Sequence, residues 1–342
     1  MGYWDDVINV LNESLPWEKL SGANILITGA TGLIGGCLVD VLMKNPKKDY
    51  IVYASGRNGE RAKNRFNKYW DDCHFRFIKH EVTSPLNCNL NFEYIIHAAS
   101  GAAPFDFSQH PVEVMKANID GVGFLVEYGL KHGMKRMLYV SSGEVYGEGD
   151  GRDFSEDYSG YVNPTLARSC YPSSKRAAET LCVSYVAEYG ANVVIARPCH
   201  TYGPYYTEND NRVYAQFIRN VIKGKDIVMK STGEQFRSWC YVVDCVSALL
   251  YILLRGKNGE AYNIADPHSN ISIKDLADMI ASIGGRKVVI DLPNSDEKKG
   301  FNPVSKSVFS IEKLKGLGWF VTGEMDKKMR STIFEKQDGV IS

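Results

Sequence analysis

Tyr171 and Lys175 stand four residues apart, and Ser141 and Ser142 close a short apolar run upstream of them. At helical spacing the two longer side chains share one face, which sets an ammonium beside a phenol. A phenol ordinarily ionises near pH ~10, too high for a base at neutral pH. A neighbouring cation favours the phenolate, and a shift of ~2–3 units corresponds to about 3–4 kcal/mol. Such a phenolate takes the proton of an alcohol while hydride leaves the same carbon, and a strand-end serine hydroxyl holds the oxygen in place. Among 20 tyrosines a Tyr-x-x-x-Lys pair arises readily by chance and can decorate a surface, but this one is the only such pair in the chain.

Hydride needs an acceptor, and the stretch 24–36, N-I-L-I-T-G-A-T-G-L-I-G-G, offers a site for one. Residues 24–28 read as a strand buried on both faces. Gly29, Gly32 and Gly35 follow at three-residue spacing, and the apolar pattern resumes through Leu38, Val39 and Leu42 as a helix. Strand, glycine turn and helix start make a phosphate site. The glycines let backbone approach a pyrophosphate, and the helix N-terminus offers free N–H groups and a positive dipole end. A nicotinamide dinucleotide is the expected ligand, with a merely structural tight turn as the alternative. The second strand ends in Tyr53-Ala54-Ser55-Gly56-Arg57 and shows no acid until Glu60. A site for NAD usually places a carboxylate there for the ribose hydroxyls. Ser55 and Arg57 are suited instead to a 2′-phosphate, so they favour NADP; Arg57 as an ordinary solvated loop charge is the alternative.

These groups need a scaffold. Strands are predicted at 50–54, 75–79, 94–98, 137–140 and 193–196, with long helices at 112–131 and 173–189. This alternation predicts an α/β fold with a Rossmann-type doubly wound parallel sheet. Residues 3–11 form an amphipathic helix in an N-terminal extension (1–22), outside the dinucleotide-binding domain (23–197, together with about 238–265). Past Pro198 the rhythm changes. Residues 199–212 read as loop, followed by helices near 213–223, 272–283 and 324–335 and short strands at 227–229 and 287–290. Residues 198–237 and 266–336 are expected to form a smaller mixed α/β substrate domain over the sheet's carboxyl edge.

Lys+Arg and Asp+Glu are both 40, so no net field attracts nucleic acid or an anionic membrane. No apolar run reaches the ~20 residues of a membrane span. The N-terminus lacks a signal-peptide layout, so a cytoplasmic protein is expected. The eight cysteines form no C-x-x-C pair and are expected as thiols. Cys73 beside His74 is the sole hint of a metal-ligand pair, and no metal is expected.

T-G-A-T-G-L-I-G, H-A-A-S (97–100), V-S-S-G-E-V-Y-G (140–147), Y-P-S-S-K (171–175) and A-R-P-C-H-T-Y-G-P (196–204) together carry a resemblance. From about residue 24 to 319 the chain resembles extended short-chain dehydrogenase/reductases of the NAD(P)-dependent nucleotide-sugar epimerase/dehydratase kind. Segments 155–164 and 168–180 are most similar to the UDP-glucuronate decarboxylase (UDP-xylose synthase) branch. The resemblance implies NAD as cofactor, a nucleotide-sugar substrate oxidised at C4, and a homodimer through the helices at 112–131 and 173–189. It implies catalytic roles for Ser142, Glu144, Tyr171 and Lys175, with Asn118 placing the lysine through a water. Cofactor contacts are expected from Gly29, Thr31, Gly32, Leu33, Ile34 and Gly35; from Ser55, Arg57, Glu81 and Val82; from Ala98, Ala99 and Ser100; and from Tyr171, Lys175, Arg197 and Pro198. Substrate contacts are expected from Ser100, Ser142, His200, Arg212 and Arg237. Glu144 as a carboxylate that orders its loop, and His200 and His97 as structural histidines, are the plainer alternatives.

Three departures bear on the reaction. Gly143 stands where dehydratases usually carry the Asp that acts as general acid for water loss. His200 replaces the Asn of the R-x-x-N-x-Y/F-G-P motif, and the carboxylate for NAD is missing. These leave a different sugar, or an NADPH-dependent reductase of a nucleotide-linked keto sugar, as alternatives. A catalytically silent dinucleotide-sensing scaffold is a third.

Overall fold

The structure, a computed structural model, describes residues 2–102, 104–208, 210–292, 305–321 and 323–341. The first half runs α1 (Tyr3–Leu11), β1 (Asn24–Thr28), α2 (Leu33–Lys44), β2 (Ile51–Gly56), α3 (Gly59–Arg65), β3 (Phe75–Lys79) and β4 (Tyr94–His97). It continues with α4 (Pro104–Gln109), α5 (Pro111–Lys131), β5 (Arg136–Val140), α6 (Cys170–Tyr189) and β6 (Val193–Pro198). The second half adds β7 (His200–Tyr202), α7 (Val213–Ile222), β8 (Ile227–Met229), β9 (Phe236–Tyr241), α8 (Val242–Arg255), β10 (Ala261–Ile264) and β11 (Asp266–Ser272). It ends with α9 (Ile273–Ile283), β12 (Val288–Ile290), β13 (Lys306–Ser307), α10 (Glu312–Lys315) and α11 (Met325–Ile341).

Seven strands form one sheet in the order β10-β6-β5-β4-β1-β2-β3, every pair parallel. The order reverses between β1 and β4, and at such a switch point the strand ends diverge and leave a crevice for a ligand. Alternation along β1 explains the two layers. Ile25 and Ile27 join the core under α2 and α8, while Leu26 joins the one under α5 and α6. Helix α1 packs on α2 and α8. Its Tyr3 Oη donates to Asp40 Oδ2 on α2 (2.7 Å), and the buried Asp40 is also held by Arg65 and Tyr69.

A second sheet is built on β9, antiparallel to β11 and parallel to β7 and β13, and β8 pairs with β12. Residues 199–212 are therefore not all loop, because β7 aligns His200 with Trp239 and Tyr202 with Tyr241. Three residues carry no readable period, and the strand exists because β9 lies beside it. Residues 105–108 lie within α4. Among the described residues no helix is long and apolar enough to cross a membrane.

Candidate active site

The glycine turn does three separate jobs. Gly29 has φ +68°, and a Cβ there would fall 2.7 Å from the backbone of Ala98 and Ala99, so the turn after β1 rests on the chain leaving β4. A Cβ on Gly35 would fall 2.4 Å from Gly29 O, which presses α2 against its own turn. Only at Gly32, the N-cap of α2, does an added Cβ meet nothing closer than Gly29 O at 3.2 Å. The close approach of a pyrophosphate is thus left to Gly32 and to the N–H groups of Leu33, Ile34 and Gly35, which begin α2 and have no intrahelical partner.

Buried polar atoms without a protein partner line the same edge. Ser55 Oγ at the end of β2 and Ser100 Oγ beyond β4 are two of them. Arg57 pairs with Glu81 at 3.5 Å, and Arg61, one turn on, donates to Thr31 O at 3.0 Å. Val82 is buried beside Glu81. The residues present fit a dinucleotide: a helix-headed cradle for the pyrophosphate, orphaned hydroxyls along the strand ends, and two guanidiniums at the β2 end.

Helix α6 brings Tyr171 and Lys175 to this edge. Lys175 Nζ donates to Val140 O (2.9 Å) and lies 4.8 Å from the centre of the Tyr139 ring. The Tyr171 phenol faces Ser142, and its ring stacks on Phe107 of α4 at 4.5 Å. Burial pushes the phenol up to about 12; Ser142 and Arg212 pull it down, and Glu144 pushes it up. Burial also pulls the Lys175 ammonium down to about 7. In the protein alone, desolvation therefore outweighs the cation and the proton stays on the phenol.

Asn118 is fully buried and its Nδ2 donates to Ser174 Oγ (2.9 Å), while its Oδ1 has no partner. It thus faces the first turn of α6 and keeps an acceptor to spare. Glu144 is gripped by both arms of Arg168 at 3.0 and 3.1 Å. Arg212 is held by Asp210 and Tyr214 yet acts on the Tyr171 phenol. His200 is half-buried with Nδ1 unpartnered. Burial and the charge of Arg237 bring it down to about 4, with Glu144 opposing them. Glu144, Tyr171, His200, Arg212 and Arg237 therefore share one pocket. His97 lies beneath it, bonded to Thr28 Oγ1 (2.7 Å) and brought down to about 3 by burial, so it is a neutral packing residue.

The guanidinium of Arg197 is committed to Glu179 (Nη2–Oε2 2.6 Å), Tyr146 Oη (3.0 Å) and Glu156 O (2.8 Å). Pro198 ends β6 beside it. Cys73 and His74 gain Asp72 as a third potential ligand, their ligand atoms within 4.8 Å of one another at the start of β3. That is the amino edge of the sheet, opposite the pocket.

Three residues escaped the sequence reading. Arg61 repeats the Arg57 cation at helical spacing, and Glu179 stands in the same i, i+4 relation to Lys175. Arg168 was visible in the motif, but nothing in the sequence names the carboxylate it would grip.

Residues 25–265 match the family described as "NAD dependent epimerase/dehydratase family". UDP-glucuronic acid decarboxylase 6 of Arabidopsis thaliana is 36% identical over 264 residues, 77% of this chain and 75% of the relative. An epimerase from Methanothermobacter thermautotrophicus superposes with a TM-score of 0.81 at 18% identity, over 98% of this chain and 96% of that one. The UDP-glucuronic acid 4-epimerase of Bacillus cereus, solved with UDP-glucuronic acid and NAD, gives 0.79 at 22% identity, over 93% and 99%. At such identities these two likenesses speak to the fold.

Proposed function

The chain belongs to the NAD-dependent epimerase/dehydratase family, and from that premise we propose that it oxidises a UDP-linked sugar acid at C4 and releases its carboxyl group as CO2. The observation that carries the reading is the Tyr171 phenol, facing Ser142 and one helical turn from Lys175, at the edge headed by the glycine cradle. A bound nicotinamide supplies the hydride acceptor, the hydride returned at the end, and a positive charge beside the phenol. Tyr171 Oη takes the proton from the C4 hydroxyl, Ser142 Oγ holds that oxygen, and Lys175 favours the phenolate while holding the nicotinamide ribose.

Arg168 is the cation for the sugar carboxylate. Planar bidentate pairing suits a carboxylate, and Glu144 fills that position in the protein alone. A substrate carboxylate competes with Glu144 for Arg168. Loss of CO2 from C5, next to the C4 ketone, leaves an enolate, and Glu144 delivers the proton to C5. Arg212 and Arg237 meet the nucleotide diphosphate, and His200 and Ser100 meet sugar hydroxyls. Residues 198–237 and 266–336 form the substrate side. The exposed apolar residues of α5 and α6, among them Met115, Leu130 and Val183, pair two subunits.

Ser55, Arg57 and Arg61 favour NADP over NAD. This also supports a second reading, a net reductase of a nucleotide-linked keto sugar. Purified protein supplied with UDP-glucuronate and each dinucleotide separates the two. The decarboxylase leaves absorbance at 340 nm flat over many turnovers while a UDP-pentose accumulates, most strongly with NADP. A reductase leaves UDP-glucuronate intact and consumes NADPH only when a keto sugar is supplied.

A further inference from the structure

Glu179 is buried one turn beyond Lys175 on α6, and no step above uses it. Its Oε1 accepts from Ser141 Oγ at 2.5 Å, and both carboxylate oxygens are bonded to Arg197. The end of β5 is consequently held at each residue. Val140 O accepts from Lys175 Nζ, Ser141 N donates to Ala196 O (2.7 Å), and Ser141 Oγ donates to Glu179. Ser142 is the next residue, and it faces the Tyr171 phenol.

The surroundings of Lys175 give Glu179 a second effect. Tyr171 and Cys182 face the ammonium from α6, Tyr139 from β5 and His97 from β4. Burial keeps both phenols and the thiol protonated and the imidazole uncharged. Arg197 approaches from β6 and is screened by the carboxylate it binds. Among these groups Glu179 supplies the negative charge, and its field opposes the desolvation that strips Lys175 of its proton.

Building on the reading of Tyr171 and Lys175 above, we propose that Glu179 is a positioning residue with two effects. Its carboxylate opposes the loss of the proton from the buried Lys175, and through Ser141 it fixes the strand end from which Ser142 faces Tyr171. The arrangement also accounts for Arg197, whose guanidinium holds Glu179.

Two substitutions separate charge from contact. Glu179→Gln keeps an acceptor for Ser141 and loses the charge. Glu179→Asp keeps the charge and withdraws the oxygen from Ser141 by one methylene. NMR on full-length protein labelled with 13C at lysine Cε follows Lys175 directly, its resonance assigned by its loss in Lys175→Arg. The midpoint is expected to fall by about one pH unit or more in Glu179→Gln and to stay within about 0.3 unit in Glu179→Asp. Glu179→Asp is expected to lose about tenfold or more in kcat on UDP-glucuronate with little change in KM. An unmoved midpoint in Glu179→Gln overturns the proposal, as does an equal fall in both variants or an unchanged kcat in Glu179→Asp. If Glu179→Gln does not fold, Glu179→Asp decides: an unshifted midpoint with reduced kcat supports the proposal, and any other result overturns it. The titration needs no substrate. If UDP-glucuronate is not turned over at all, the reading of the reaction fails while the midpoints still decide the role of Glu179.

Discussion

Replacing Tyr171 by Phe is expected to lower kcat/KM by about 10³-fold, within the range that a positioned acid–base group contributes. Only the hydroxyl goes. The ring still stacks on Phe107, and Lys175 still reaches Val140 O, so the fold and the dinucleotide affinity should stay close to those of the native protein. The pH profile carries a further sign. Tyr171 must lose its proton and Lys175 must keep one. With the phenol raised and the ammonium lowered by burial, only a small fraction of the protein alone holds both states at once, and the rate depends on pH through both groups. Phe at 171 removes the dependence on the phenol and leaves a low residue of activity that only falls as Lys175 deprotonates. A variant as active as the native protein would point to the scaffold reading, in which the dinucleotide is sensed and not used.

The second large effect concerns Gly143. A Cβ on this glycine would lie 1.9 Å from Phe309 Cζ. Phe309 has little freedom to yield. It is buried, edge-on to Tyr146 at 5.5 Å and beside Phe154, and its backbone N–H is bonded to Ser238 Oγ. Gly143→Asp should therefore destabilise the protein by about 1–3 kcal/mol, the usual range for overpacking, read as a fall of several degrees in Tm. It should also reduce turnover, because Ser142 is the neighbouring residue. The same geometry explains why an acid for water loss does not fit here: the aromatic ring fills the space the carboxylate would need. Combining Gly143→Asp with Phe309→Ala should recover part of the lost stability. Unchanged Tm together with a new 4-keto-6-deoxy product would contradict this account.

The scaffold was legible because strands buried on both faces read as apolar runs, and β1, β4 and β5 fall where such runs predict them. β7 and α4 were not legible: three residues and six residues show no period, and each is fixed by what it packs against. Side-chain type and spacing announced Ser142, Tyr171 and Lys175. Their charge state was not announced, because a sequence displays the ammonium four residues away but not the burial that outweighs it. Arg197 shows the same limit. The resemblance marked it for the cofactor, and nothing in the sequence showed that a buried carboxylate on α6, which leaves an unpaired charge unless a cation meets it, takes its guanidinium. The roles of Arg168, Arg61 and Glu179 depend on which groups the fold brings opposite them.

The central claim is that a proton leaves the C4 hydroxyl for Tyr171 as hydride leaves C4, and that the hydride comes back. The most direct measurement uses UDP-glucuronate carrying deuterium at C4, incubated with the enzyme and unlabelled dinucleotide. The account predicts a transient rise at 340 nm within a turnover that is slower than with unlabelled substrate, and a UDP-pentose that retains deuterium at C4. Product without a 340 nm transient and without an isotope effect, or product in which C4 deuterium has been lost to solvent, would contradict it.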